Sequence, residues 1–241
     1  GGLDVVRVQV GHLRLGDLAD LILGELRDFD GVRGLGALRR QTGVQELFYG
    51  TLTTLMRSVA FGLPTSVGTG FSTQQHESAV GLAGHWQFAP WGEWMLASNG
   101  ASRIQVSKAG AAFTALQQGG TSALAITSTR LLNRFGAYIL AANTNVGTTS
   151  VHWCSDDNPE DWVPSEINTA GDYVIRDADS ELTCACELGD KLAYYTRASM
   201  TVVTYIGAPF VFSFSKALKT NAFVRAAEQA NELLYTIEDL S

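Results

Sequence analysis

"WGEWMLASN" (Trp91–Asn99) and "FGAYILAAN" (Phe135–Asn143) lie over one another position by position: aromatic, Gly, any residue, aromatic, apolar, Leu, Ala, any residue, Asn. "LGDKLAYYT" from Leu188 and "QANELLYTI" from Gln229 share the turn-like opening and the apolar run, and the four starts fall 44, 53 and 41 residues apart. Self-similarity at roughly 40–50 residues is the period of one four-stranded propeller blade.

The stretches between these anchors supply the other strands. "RIQVSK" alternates, with Ile104 and Val106 one way and Arg103, Gln105 and Ser107 the other. "FVFSFS" sets Phe210, Phe212 and Phe214 against Val211, Ser213 and Ser215. One blade reads as "GHWQF", "WMLASN", "RIQVSK", "AFTAL"; the next as "SALAITS", "AYILAAN", "SVHWCS", "DYVIRD"; a third as "ELTCACEL", "KLAYYT", "MTVVTYI", "FVFSFSKAL". A small sheet with apolar residues on both faces buries them only between neighbouring sheets. The expected fold is therefore all-β, a β-propeller of four-stranded antiparallel blades over residues 81–241, with the last blade truncated. Residues 1–80 are expected as an N-terminal segment, either further propeller strands or a docking region. There "GDLADLILGELRDF" suits a short helix, whereas "GVQELFYG" and "TLMRSVAFG" suit strands.

Composition narrows the function. No apolar run approaches the roughly 20 residues of a membrane-spanning helix. The net charge is −7, and Val151–Asp190 holds eleven acids against one base, Arg176. Such a balance opposes a grip on nucleic-acid phosphates. Arg33, Arg39 and Arg40 face Asp28 and Asp30 in sequence and read as a solvated loop. The three cysteines, Cys154, Cys184 and Cys186, are too few for a zinc quartet and read as small buried residues in a reducing compartment.

The densest candidate site is "VHWCSDDNPEDWVPS" (Val151–Ser165). A calcium loop fits poorly, since Pro159 sits where that loop must turn freely. Zinc would need two ligands beyond His152 and Cys154. Glycoside hydrolysis needs two carboxylates across a sugar, which Asp156, Asp157, Glu160 and Asp161 in one loop rarely provide. A turn accounts for more of the letters: Asn158-Pro159 initiates it, while Ser155 and Asp157 accept from nearby backbone N–H groups. Trp153 and Trp162 then pack on either side. His12, His76, His85 and His152 are scattered, "GTGFS" lacks the lysine of a phosphate loop, and no Gly-x-Ser-x-Gly elbow occurs. No catalytic residue, cofactor or metal is expected.

The spacing Ser155-x-Asp157-x-Pro159-x-Asp161-Trp162 resembles the Asp-box hairpin of propeller proteins, with Pro159 in place of Gly and Asp161 in place of Thr. More widely, "HWQFAPWGEWMLASNG", the stretch from Val151 to Gly171, and "SMTVVTYIGAPFVFSFSKAL" resemble the tail hub, or nozzle, proteins of short-tailed phages, also called packaged-DNA stabilisation proteins. The elements carrying that resemblance are Trp153, Ser155, Pro159 and Trp162; Asn168, Ala170 and Gly171; and Tyr205, Gly207 and Pro209; Trp91 and Trp94 join them as blade-packing residues. Cys154, between the Trp and the Ser, departs from the pattern. The resemblance, over about residues 81–218, implies a non-enzymatic virion protein assembled in the host cytoplasm into a homo-oligomeric ring, commonly a hexamer. It implies a place below the portal and adaptor, where the ring retains packaged double-stranded DNA and conducts its ejection. A binding propeller, such as a glycan or protein adhesin, and a propeller glycoside hydrolase are the competing readings.

Overall fold

The computed structural model describes residues 8–9, 32–60, 62–71, 85–207 and 210–219, and these contain strands, turns and loops without a helix. The first sheet holds β1 (Val8–Gln9), β2 (Leu35–Arg39), β3 (Gln45–Gly50), β4 (Thr54–Val59) and β5 (Thr65–Thr69), with β1 parallel to β2 and the rest antiparallel. The second holds β6 (Gln87–Trp91), β7 (Trp94–Ser98), β8 (Gln105–Lys108) and β9 (Thr114–Ala115). A two-stranded hairpin follows, β10 (Gln117–Gln118) and β11 (Ser122–Ala123). The third sheet is β12 (Thr129–Phe135), β13 (Tyr138–Thr144), β14 (Gly147–Trp153) and β15 (Gly171–Val174). The fourth is β16 (Cys184–Leu188), β17 (Lys191–Tyr195), β18 (Ser199–Gly207) and β19 (Val211–Lys219).

Within each sheet the spatial order is the chain order, and apart from the parallel β1 every blade is an antiparallel meander. The opening strands of successive antiparallel meanders touch, β2 with β6, β6 with β12, and β12 with β16. Each sheet then shares one hydrophobic cluster with the next. Met95 and Ala97 of β7 join Phe48 and Leu55 of the first sheet, while Leu96 between them joins Leu132 and Ile139 of the third. The pattern repeats one blade on: Ile139 and Ala141 face back, and Leu140 and Ala142 face forward to Leu192 and Tyr194. Met95, Leu96, Ala97 and Ile139 through Ala142 are all fully buried. A strand covered on both faces loses polar alternation and reads as a continuous apolar run. Each large side chain so buried contributes about 1.5–3 kcal/mol. The fold is all-β, with the stacked four-stranded blades of a β-propeller.

The repeated motif has a physical cause. Trp91 pairs with Trp94, Phe135 with Tyr138 and Leu188 with Lys191 across two-residue turns. Gly92, Gly136 and Gly189 take φ of +52°, +60° and +64° at the first turn position, and the following residue stays at negative φ. That is the hairpin turn whose first central position demands glycine. The motif is thus a hairpin and the second strand of each blade. The fourth copy, from Gln229, lies outside the described residues, as do the helix expected over residues 16–29, His12 and His76.

Four expectations are corrected. "SALAITS" is not a blade strand: only Ser122–Ala123 pair, with β10, and Thr129–Phe135 forms the opening strand instead. Leu131 and Leu132 there serve the clusters on opposite faces, which a search for alternation overlooks. "AFTAL" contributes only the two residues of β9. Phe210 does not share the face of Phe212. Val211 has φ +59°, which turns its own side chain into the core and leaves Phe210 74% exposed, opposite a register shift at Ile206 of β18. Finally, Arg40 is no solvated residue. It is 8% exposed and ion-paired with Glu46 and Glu93, tying the first sheet to the second.

Candidate functional site

The acidic stretch leaves β14 at Trp153 and folds back at once. Ser155 and Asn158 form an isolated bridge, Ser155 N donates to Asp161 O at 2.7 Å, and Asp161 N donates to Asn158 O at 3.1 Å. Asp157 sits at φ +53°, a left-handed conformation that a short polar residue tolerates better than a branched one. Its amide donates to Ala137 O at 3.3 Å, fastening the loop to the β12–β13 turn. The side chain that closes the turn belongs to Asn158, whose Oδ1 accepts from Glu160 N at 3.1 Å. Asp157, expected in that part, contributes its backbone conformation.

Three of the carboxylates, Asp156, Glu160 and Asp161, are engaged by neighbouring side chains. Asp161 accepts from Gln118 Nε2 at 2.9 Å and from Asn168 Nδ2 at 2.8 Å. Gln118 Oε1 in turn accepts from Trp162 N at 2.7 Å. Glu160 pairs with Lys108 at 2.6 Å, and the same ammonium lies 4.4 Å from the ring centroid of Trp94. Asp156 accepts from the Thr169 hydroxyl at 2.6 Å. Asn168 also donates to Val163 O and accepts from Ser165 N, closing the loop. The acidic loop therefore ties the third sheet to the second through Lys108 and to the β10–β11 hairpin through Gln118, two residues that no local motif marks.

The tryptophans take opposite sides. Trp162 packs in the cluster between the second and third sheets, its Nε1 donating to Pro159 O at 2.8 Å. Trp153 packs in the cluster between the third and fourth sheets and donates to Thr169 O at 2.9 Å. A Cβ on Gly171 would stand 2.4 Å from Trp153 Cζ2, so the Ala170-Gly171 segment fits around that ring only as glycine. Trp91 and Trp94 flank the Gly92 turn, with the Arg134 guanidinium 5.8 Å from the Trp91 centroid. Tyr205 and Gly207 end β18, Gly207 at φ +79° opposite Val211. Pro209 lies outside the described residues.

Two titratable groups nearby are shifted by burial. Burial pushes the Cys154 thiol up to about 12, and its Sγ accepts from Ile139 N at 3.1 Å. Burial holds His152 below the ordinary imidazole range, partly offset by Asp172 on the paired strand. Among the described residues no group of three or more His, Cys, Asp or Glu side chains is placed to hold a metal ion.

A second feature lies where the third and fourth sheets meet. The β12–β13 and β16–β17 turns and the end of β18 border a cleft of about 510 Å³ lined by Phe135, Tyr138, Tyr205, Asp156, Glu187 and Asp190. Phe212 lies beneath it, with ring centroids 5.8 Å from Phe135, 5.0 Å from Tyr138 and 6.0 Å from Tyr205.

The class these features define is a β-propeller module with an architectural acidic hairpin. No family model and no curated protein matches the chain. Among solved structures it is similar to YCF48 from Cyanidioschyzon merolae, at 11% identity and a TM-score of 0.42. The match covers 71% of this chain and 55% of that one, so the chain spans about half the length of YCF48.

Proposed function

We propose that the chain is a non-catalytic structural subunit of a larger assembly, and that this assembly is the tail hub of a short-tailed phage. The supporting observation is the structural engagement of Glu160 and Asp161: Glu160 pairs with Lys108 of the second sheet, and Asp161 holds Gln118 of the β10–β11 hairpin and Asn168 of its own loop. Carboxylates spent on holding blades together are unavailable as an acid–base pair. The phage reading rests on sequence resemblance, with Trp153, Ser155, Trp162 and Gly171 as its carriers. In it, copies of the chain form a ring below the portal and adaptor, and double-stranded DNA passes through during ejection. An excess of acid along Val151–Asp190 suits a wall from which phosphates slide.

The test is electron microscopy of the purified protein. Class averages with rotational symmetry, six-fold in the phage reading, support the proposal. Unsymmetrical monomers, together with sugar release abolished by a single Asp or Glu replacement, contradict it. A binding propeller is the second reading, favoured by the aromatic cleft between the third and fourth sheets.

A further inference from the structure

We infer that the cleft between the third and fourth sheets is a recognition site for an arginine side chain presented by a partner protein. Three observations converge. Among the described residues the lining carries three carboxylates, Asp156 (held by Thr169), Glu187 and Asp190, and no cation. Glu187 and Asp190 have no ion-pair partner among the described residues, unlike Glu160 and Glu181, which pair with Lys108 and Arg130. Three aromatic rings, Phe135, Tyr138 and Tyr205, line the rest together with small turn residues, and all three pack on Phe212, itself 5% exposed. A flat guanidinium stacks on such rings and forks onto carboxylates, and it sheds water more readily than an ammonium. A neutral sugar would use the rings and leave the negative charge uncompensated.

The surroundings point to a protein carrying that arginine. Tyr205, Ile206 and Phe210, on the hairpin bordering the cleft, are 55%, 53% and 74% exposed. Large apolar side chains gathered beside a pocket mark an interaction surface. A volume of about 510 Å³ also exceeds one side chain and accommodates a short segment.

The experiment is calorimetric titration of the full chain, at low salt, with a glycine-flanked peptide carrying two arginines. The control peptide carries citrulline, which keeps the shape and removes the charge. Saturable binding is expected, weakened roughly tenfold or more by citrulline, by Tyr205→Ala, and by the double variant Glu187→Gln with Asp190→Asn. Both acids are exposed, and near-ultraviolet dichroism checks that the variant stays folded. Equal affinity for the citrulline peptide, undiminished binding by the double variant, or no saturable heat at millimolar peptide would overturn the inference. So would binding of maltotetraose lost in Tyr205→Ala and retained in the double variant, which would make the cleft a glycan site. Each of these outcomes is independent of the microscopy that tests the proposed ring.

Discussion

The ring of Phe212, on the last strand of the fourth sheet, meets that of Trp153, on the third strand of the third, edge to face at 5.3 Å and 89°. This contact joins two blades, and Tyr138 completes it, with Phe212 edge-on at 5.0 Å. Aromatic pairs so arranged add to the area they bury. Phe212→Ala is expected to cost about 3–5 kcal/mol in urea unfolding. A loss below about 1 kcal/mol, the range of ordinary surface changes, would show that the two sheets do not depend on it.

Gly171 permits the same tryptophan to lie flat against its neighbour strand. Gly171→Ala places a methyl 2.4 Å from Cζ2 of Trp153 and is expected to destabilise by about 1–3 kcal/mol. Combining it with Trp153→Phe, which removes the crowded carbons, is expected to cost less than the two changes summed. Strict additivity in denaturant melts would place the clash elsewhere.

Tyr194 carries a different prediction. Its side chain is fully buried, and its hydroxyl has no hydrogen-bond partner among the described residues. Burial without a partner pushes its ionisation far upward. Removing an unsatisfied buried hydroxyl recovers its desolvation penalty. Tyr194→Phe is therefore expected to leave stability equal or raise it by about 1 kcal/mol. A clear drop in the melting midpoint would reveal a partner for that oxygen.

Part of this was legible in the sequence. Glycine at the first position of a two-residue turn, with an aromatic on either side, exposes the blade repeat at Trp91 and Phe135. The acidic hairpin was also readable as a turn, because Asn158-Pro159 carries local backbone information. What was hidden lies between blades. Arg40 with Glu93, Arg57 with Gly110, Lys108 with Glu160 and Arg130 with Glu181 are separated by 53, 53, 52 and 51 residues. Each pair joins one blade to the next, so the signal exists only once the repeat is known. The cleft was illegible for the same reason, since Tyr138, Glu187 and Tyr205 meet only when two blades stack. Val211 illustrates a third limit: its left-handed backbone turns Phe210 away from the face that Phe212 and Phe214 share, and no alternation of letters marks it.

His152 gives the pH dependence. Burial depresses its folded-state value below the ordinary value of about 6.5. The unfolded chain therefore takes up the proton first as pH falls. The contribution of His152 is complete above that ordinary value and is lost as pH drops below it. Melting midpoints across this window should fall more steeply for the natural chain than for His152→Gln. Matching slopes would mean that the imidazole is solvated.

Asp161 distinguishes architecture from chemistry in the acidic hairpin, because its two oxygens engage Gln118 and Asn168 separately. The decisive quantity is the melting midpoint of Asp161→Ala. Loss of two hydrogen bonds to a charged acceptor is expected to cost about 2–4 kcal/mol. At roughly 2–4 °C per kcal/mol for a chain of this size, the midpoint should fall by several degrees. An unchanged or raised midpoint would contradict the account, since it is the behaviour of a carboxylate kept for function at the expense of stability.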